Sequence, residues 1–356
     1  MHRSRIALSI LMLVALLSPV AALRANESER EVKVATYNMY LGAELLEIFL
    51  STSPEQLVAE VGEAYSDMQA GLPEERIDEI ADQIAAASPD VIGLQEVALW
   101  RIGAPGDPAS AETVAYDFLQ MLLDGLAERG AHYAPVAIQI NLDRELTGFF
   151  EAAPPLDIRF TDRVVILART DLQTSRLKLE GSQTGTFQVL LPVELLGNPI
   201  FIERGWASVD IKHRGKTYRF VTVHLEAFND EVQFYQAYEL LQGPTNTDMP
   251  VILAGDLNSD PIFNGGSYNA LLGGGFTDIW SAVGSVGAGH TWPLSPESPS
   301  VILTPFWRID YLMARGDVTL STIDIIGEDP LLDLTTPSSF RPSDHAGLTA
   351  TVVLQP

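Results

Sequence analysis

The stretch Val251-Ile252-Leu253-Ala254-Gly255-Asp256-Leu257-Asn258-Ser259-Asp260-Pro261 decides how the rest of the chain is read. Its first four residues form an apolar run with the character of a strand buried on both faces. Gly255 permits close backbone approach and Pro261 ends the extended run. Asp256 and Asn258 stand two positions apart, so in an extended segment their side chains point the same way. A base for water and an amide donor for an anionic oxygen can then face one point. The plainer reading is an Asx-rich turn after a strand. The choice depends on whether other strands end in the same fashion.

Several do. Val32 to Asn38 reads as a strand closed by Asn38, and Val91 to Gln95 as a buried strand followed by Glu96. An Asn after a strand is often only a turn former, and an acid there can simply emerge into solvent. Within a buried site, a carboxylate must be paired, bound or solvated. Tyr218 to Leu225 is a strand carrying His224 between apolar neighbours, which fits a satisfied core histidine or a donor to a phosphate oxygen. Arg308-Ile309-Asp310-Tyr311-Leu312 places an acid inside an apolar strand, and Ser343-Asp344-His345 precedes a last strand, Gly347 to Val353. A buried Asp needs a partner, and a carboxylate beside a His fixes its tautomer and raises its basicity. Asp310 with His345 is the natural pair, which leaves Asp344 for a metal. Scattered single carboxylates suit Mg2+, which takes few protein ligands and keeps several waters. Together they point to metal-assisted hydrolysis of a phosphoester.

Other segments set the fold class. Pro73 to Ala87 has helical spacing and stops at Ser88-Pro89-Asp90; Ser110 is expected to cap a helix to about Arg129; Glu231 to Leu241 is helical up to Gly243-Pro244. Val164 to Leu167 and Trp206 to Ile211 read as further strands. Strands apolar on both faces with interspersed helices imply layered α/β packing. Asn141 to Phe160, with Phe149-Phe150 and Pro154-Pro155, and Phe263 to Ser300 read as rim loops.

The 356 residues include 22 Lys and Arg against 47 Asp and Glu, and no Cys, which excludes disulfides and thiolate metal sites. A basic start, an apolar run from Ile6 to Leu17, Ser18-Pro19 and small residues to Ala22 or Ala25 match a secretory signal peptide. The alternative is an uncleaved anchor, for which the apolar part falls short of the ~20 residues a spanning helix needs. Residues 1–25 are therefore expected to be a leader, and the protein secreted or periplasmic. Without Arg3, Arg5 and Arg24 the balance is 19 basic to 47 acidic residues. Long nucleic acid is bound through many Lys and Arg contacts, so this field disfavours it as a partner.

Taken together and in this order, the motifs from Val32 to Val353 resemble the endonuclease/exonuclease/phosphatase superfamily, with Gly-Asp-Leu-Asn, Ile-Asp-Tyr-Leu and Ser-Asp-His specific in combination. The resemblance implies an α/β (α+β) four-layer sandwich over 31–356 as a single domain: two mostly antiparallel sheets face to face, helices outside. It implies Glu96 as principal metal ligand with Asn38 beside it and Asp344 as a further metal-site acid. Asp256 would activate water, Asn258 hold a phosphoryl oxygen, and His345, oriented by Asp310, contact the scissile phosphate. His224 would donate to phosphate or leaving group, and Thr291 in His290-Thr291-Trp292 would support the central acid. Where many members carry Asn-Gly, this chain reads Thr161-Asp162-Arg163; Arg163 is either a phosphate-facing cation or a surface Arg. The implied activity is Mg2+-dependent phosphodiester hydrolysis, with Mn2+ or Ca2+ as alternative ions. Expected partners are a phosphorylated small molecule or lipid headgroup, with transient membrane contact through Phe149-Phe150, by a monomer. A secreted nuclease and a silent binding module on the same fold are the alternatives.

Overall fold

Strand patterns dominate the chain, and the computed structural model, which describes residues 30–283, 287–294, 304–327, 337–338 and 340–355, gathers them into two large mixed sheets. The expected leader lies outside the described residues. In chain order the elements are β1 (Glu31–Asn38), α1 (Leu46–Leu50), α2 (Pro54–Ala70), α3 (Pro73–Ala87), β2 (Val91–Gln95), β3 (Leu99–Gly103), β4 (Thr113–Asp117), α4 (Phe118–Glu128), β5 (Tyr133–Gly148) and β6 (Leu156–Arg169). There follow β7 (Lys178–Thr186), β8 (Leu191–Leu195), β9 (Asn198–Ile202), β10 (Gly205–His213), β11 (Lys216–His224), α5 (Asp230–Gln242) and β12 (Val251–Asp256). The chain closes with α6 (Gly266–Gly273), β13 (Thr277–Asp278), α7 (Ile279–Val283), β14 (Asp310–Arg315), β15 (Val318–Ile326) and β16 (Gly347–Leu354).

The first sheet runs β15-β16-β1-β2-β6-β3-β4 with β5 also on β6; the second runs β13-β14-β12-β11-β10-β7. Pairing is antiparallel except for β1 with β2 and β11 with β12. The period of two along each strand sorts the core into layers. Even-numbered Val34, Val164, Ile166, Phe220, Ile252, Ala254, Leu312 and Leu348 meet between the sheets. Odd-numbered Ala35, Tyr37, Val165 and Leu167 face α2, α3 and α4 instead, and Val221, Val223, Leu253 and Met313 face α5 and α6. The result is helices, sheet, sheet, helices, the expected four-layer sandwich. The sheets approach closely at Gly93, where a Cβ would come within 2.3 Å of Thr222 Oγ1.

Two expectations are corrected here. The segment from Ser110 is not helical throughout: Thr113 to Asp117 pairs with β3, and the helix starts only at Phe118, capped by the Asp117 side chain on Leu119 N. Val114 and Tyr116 take part in pairing that helical spacing conceals. Asn141 to Phe160 is not a rim loop but the body of a long β5–β6 hairpin. Its polar look comes from an outer charge cluster in which Arg159 Nη2 bonds Asp143 Oδ2 at 2.6 Å and Arg101 Nη2 lies 3.3 Å from Asp143 Oδ1. Phe149 bonds α2 through its backbone (N to Val58 O, 2.8 Å) and Phe150 sets its ring edge-on to Tyr65. Within Phe263–Ser300, α6, β13 and α7 are regular structure; residues 284–286 and 295–300 lie outside the described ones.

Candidate active site

Because Thr36, Asn38, Thr222, His224, Asp256 and Asp310 share the even parity of the inter-sheet core, and Gln95 the odd parity with which Val91 reaches it on β2, the same rule that buries valines brings these polar side chains into the gap between sheets. They collect at one end, where β1, β2, β11 and β12 finish and β14 begins. Behind the cluster a hydrogen-bonded chain spans the gap: Thr36 Oγ1 donates to Gln95 Oε1 at 3.1 Å and Gln95 Nε2 to Thr222 Oγ1 at 2.9 Å. It pins the two halves of the site to each other.

Asp256 is the hub. Asn38 Nδ2 donates to its Oδ2 at 3.0 Å, and His224 Nε2 and His345 Nε2 lie 3.6 and 3.8 Å from the same oxygen. Its Oδ1 accepts from the Asn258 amide at 2.8 Å. Gly255, at φ 143°, sits where a Cβ would fall 2.1 Å from Val223 O, which explains the glycine. Burial, and then Asp310, push the Asp256 carboxyl up to about 7. Asn38 Nδ2 also donates to Glu96 Oε1 at 3.0 Å, and Leu41 N to Glu96 Oε2 at 2.8 Å. Glu96 adopts φ 55°, a left-handed turn that carries its carboxylate off the strand into the site. Burial and the facing Asp344 carboxylate raise it to about 7. Asn258, also left-handed, gives Nδ2 to Leu225 O at 3.1 Å.

The two histidines are held in opposite ways. His345 Nδ1 lies 2.8 Å from Asp310 Oδ2, and although burial works against its charge, Asp310, Asp344 and Asp256 hold its pKa well above the ordinary value. His224 Nδ1 lies 3.1 Å from Arg204 Nη1. A guanidinium only donates, so Nδ1 must accept and the proton of the neutral ring sits on Nε2, toward Asp256. Burial and the Arg204 charge push His224 well below the ordinary value.

Thr291 is fully buried, and its Oγ1 meets the amides of Ile309 and Asp310 at 3.4 and 3.3 Å, fixing the start of β14. Asp344 Oδ2 accepts from Trp292 Nε1 at 3.3 Å, and Trp292 stacks on Trp307. The structure therefore brings Asn38, Glu96, His224, Asp256, Asn258, Asp310, Asp344 and His345 together, with Thr291 behind. Arg163 is the exception. Its odd parity turns it toward the helix layer, where its guanidinium donates to Val97 O (2.7 Å), Ala98 O (3.1 Å) and Asp117 Oδ1 (2.6 Å). It is no phosphate-facing cation; it clamps the turn after Glu96 onto the cap of α4.

A second polar group, not among the residues expected from sequence, lies beside His224. Asp162, with even parity in the same strand as Arg163, faces the site, accepts from Asn141 Nδ2 at 3.0 Å and lies 3.8 Å from Arg204 Nη1. Arg204 Nε is 3.9 Å from Glu226 Oε2. An acid inside an apolar strand is the signal that singled out Asp310, and it applied to Asp162. Glu226 is two positions beyond His224 in extended chain, a spacing that also pointed to it.

A metal fits this donor set. Ligand atoms of Asp256, Asp310 and His345 lie within 4.8 Å of one another, Asp310 Oδ1 is buried without a hydrogen-bond partner among the described residues, and Glu96 and Asp344 face each other as like charges. All are hard oxygen or imidazole donors.

The Endonuclease/Exonuclease/phosphatase family profile matches residues 35–345, and the chain belongs to that family. Its members are phosphoester hydrolases that depend on metal. The fold is similar to that of an endonuclease/exonuclease/phosphatase family protein from Leptotrichia buccalis C-1013-b (18% identity, 90% of this chain and 98% of that one, TM-score 0.55). It is also similar to a mannosyl-6-phosphatase from Bacteroides thetaiotaomicron VPI-5482 (17% identity, 91% and 100%, TM-score 0.53) and to D. rerio TDP2 complexed with a single-strand DNA product (17% identity, 90% and 98%, TM-score 0.51). No curated protein sequence matches the chain.

Proposed function

We propose that this protein is an exported, divalent-cation-dependent phosphodiesterase, with Mg2+ as its ion. The observation that carries the reading is the Asp256 carboxylate: one oxygen shared by Asn38, His224 and His345, and a pKa of about 7, near the working pH that suits a general base. Glu96, Asn38 and Asp344 would hold the cation, which supplies charge neutralisation to the phosphoryl oxygens when bound. Asp256 takes a proton from the attacking water. His345, kept protonated against Asp310, donates to a phosphoryl or leaving oxygen, and the Nε2–H of His224 donates from the other side. The second amide hydrogen of Asn258, left by the bond to Leu225 O, would donate to a further phosphoryl oxygen. The N-terminal pattern of residues 1–25 supports export, and the excess of 47 acidic over 22 basic residues supports a small or lipid phosphoester over long nucleic acid.

The test is hydrolysis by purified protein lacking residues 1–25. Bis-p-nitrophenyl phosphate should be cleaved faster than p-nitrophenyl phosphate, with Mg2+ and not with EDTA. Faster cleavage of the monoester makes it a phosphatase, efficient plasmid degradation makes it a nuclease, and no turnover of any of these substrates makes it a binding module.

A further inference from the structure

The cleft that holds the polar cluster is larger than a phosphate requires, about 730 Å³. Besides the catalytic side chains it has an apolar lining from two adjoining elements. One is α1 and the residues before it, with Leu45, Leu46 and Phe49; the other is the β8–β9 hairpin, with Leu191, Val193 and Ile202. The hairpin belongs to neither large sheet. Along β8 half-buried Leu191, Val193 and Leu195 alternate with exposed Pro192 and Glu194, so one face is built to be covered. A lone two-stranded ribbon is marginal in water; β8 packs against α1, and apolar residues of both elements still line the open volume of the cleft. Concave apolar surface leading to a few convergent polar groups is the form of a ligand site.

The charges at the mouth narrow the ligand. Glu44, Glu194, Glu203 and Asp230 line it, and among the described residues Arg204 is the one Lys or Arg that does. Arg204 is already held by His224, Asp162 and Glu226. A polynucleotide would set its neighbouring phosphates against carboxylates, and the hydroxyls of a sugar would meet leucine and valine.

We infer that the substrate is an amphiphilic phosphoester whose hydrocarbon chain fills the apolar chamber lined by α1 and the β8–β9 hairpin while its phosphoryl group rests at Asp256. The inference rests on the phosphodiesterase reading and names the substrate class of that site.

Two measurements test it. The first is the hydrolysis of p-nitrophenyl alkyl phosphates bearing methyl, butyl, hexyl and octyl groups, below their micelle concentrations, with Mg2+. The value of kcat/KM should rise about fourfold per buried methylene, and Val193→Asp and Leu46→Asp, one on each element, should each flatten that slope. The second is calorimetric binding of methyl, butyl and octyl phosphate to EDTA-treated protein, which should show the same trend without catalysis. A flat dependence in both series, or faster turnover of mannose 6-phosphate or a dinucleotide than of the octyl ester, overturns the inference. Chain-length-dependent binding with no turnover of any ester upholds the chamber and rejects the hydrolase reading.

Discussion

Stripping divalent cations with EDTA and raising the pH from 5 to 8 will lower the stability of this protein. Asp256 is 1% exposed and its carboxyl is raised from 3.8 to about 7. Across that range the folded chain keeps a proton that the unfolded chain releases. The stabilisation is therefore complete below the unfolded pKa and is lost as pH climbs through the folded one. Starting from pH 5, already above the unfolded pKa, the part lost by pH 8 corresponds to about 3 kcal/mol. Glu96, raised from 4.5 to about 7, has the same sign over much the same window. His224 has the opposite sign: burial lowers it, so the unfolded chain binds a proton the folded chain refuses, and stability recovers up to pH 6.5. His345, raised, loses stability above 6.5. The net trend runs downward. With an unfolding entropy of about 2 cal/mol/K per residue over roughly 330 residues, about 3 kcal/mol lowers Tm by about 4 °C. Mg2+ at a hundredfold excess over Kd should return about 2.7 kcal/mol by binding the ionised site. Differential scanning fluorimetry at pH 5, 6, 7 and 8, with EDTA or Mg2+, reads both effects. A Tm in EDTA that stays level or rises over this range refutes the picture of Asp256 and Glu96 as strained neighbours in one anionic pocket.

Two substitutions probe individual roles. Asp310→Asn removes the charge that keeps His345 protonated, so kcat on bis-p-nitrophenyl phosphate should fall about 10²–10⁴-fold and the alkaline limb of the pH–rate profile should move to lower pH; a rate within threefold of wild type at pH 7 would discount the pair. Arg163→Met should leave KM for the same substrate unchanged while lowering stability by about 1–3 kcal/mol, because the carbonyls of Val97 and Ala98 lose their donor; an unchanged urea midpoint with a raised KM would return Arg163 to the substrate.

The outlines of the fold and most of the site could be read from sequence because both obey one periodicity. A strand apolar on both faces announces itself, and a polar residue at its end or middle stands out against it, as Asp256, Asp310 and His224 do. The β5–β6 hairpin stayed hidden because Arg144, Glu145 and Arg159 clothe its outer face, so charge pairing across strands imitates the composition of a loop. The helix α2 was passed over because its buried face, Val61, Ala64, Tyr65 and Met68, is broken by glycine and acidic residues. The charge of Arg163 suggests a phosphate contact, but its parity with Val165 and Leu167 turns it from the site, and the same count turns Asp162 toward it. Arg204 lies just outside a strand, between Glu203 and Gly205, where no period reaches. Its importance comes from contacts made only once the sheets are stacked.

The Thr36–Gln95–Thr222 bridge carries a consequence for how this protein fails. Glu96 and Asn38 ride on one sheet, Asp256 and His224 on the other, so turnover depends on the lateral alignment of two slabs joined mainly by oily contact. Slippage by even a fraction of one pleat would separate the halves while each slab kept its own ladder of backbone bonds. Enzymatic output is thus a finer gauge of sheet alignment than circular dichroism, and in mild urea it should fade first.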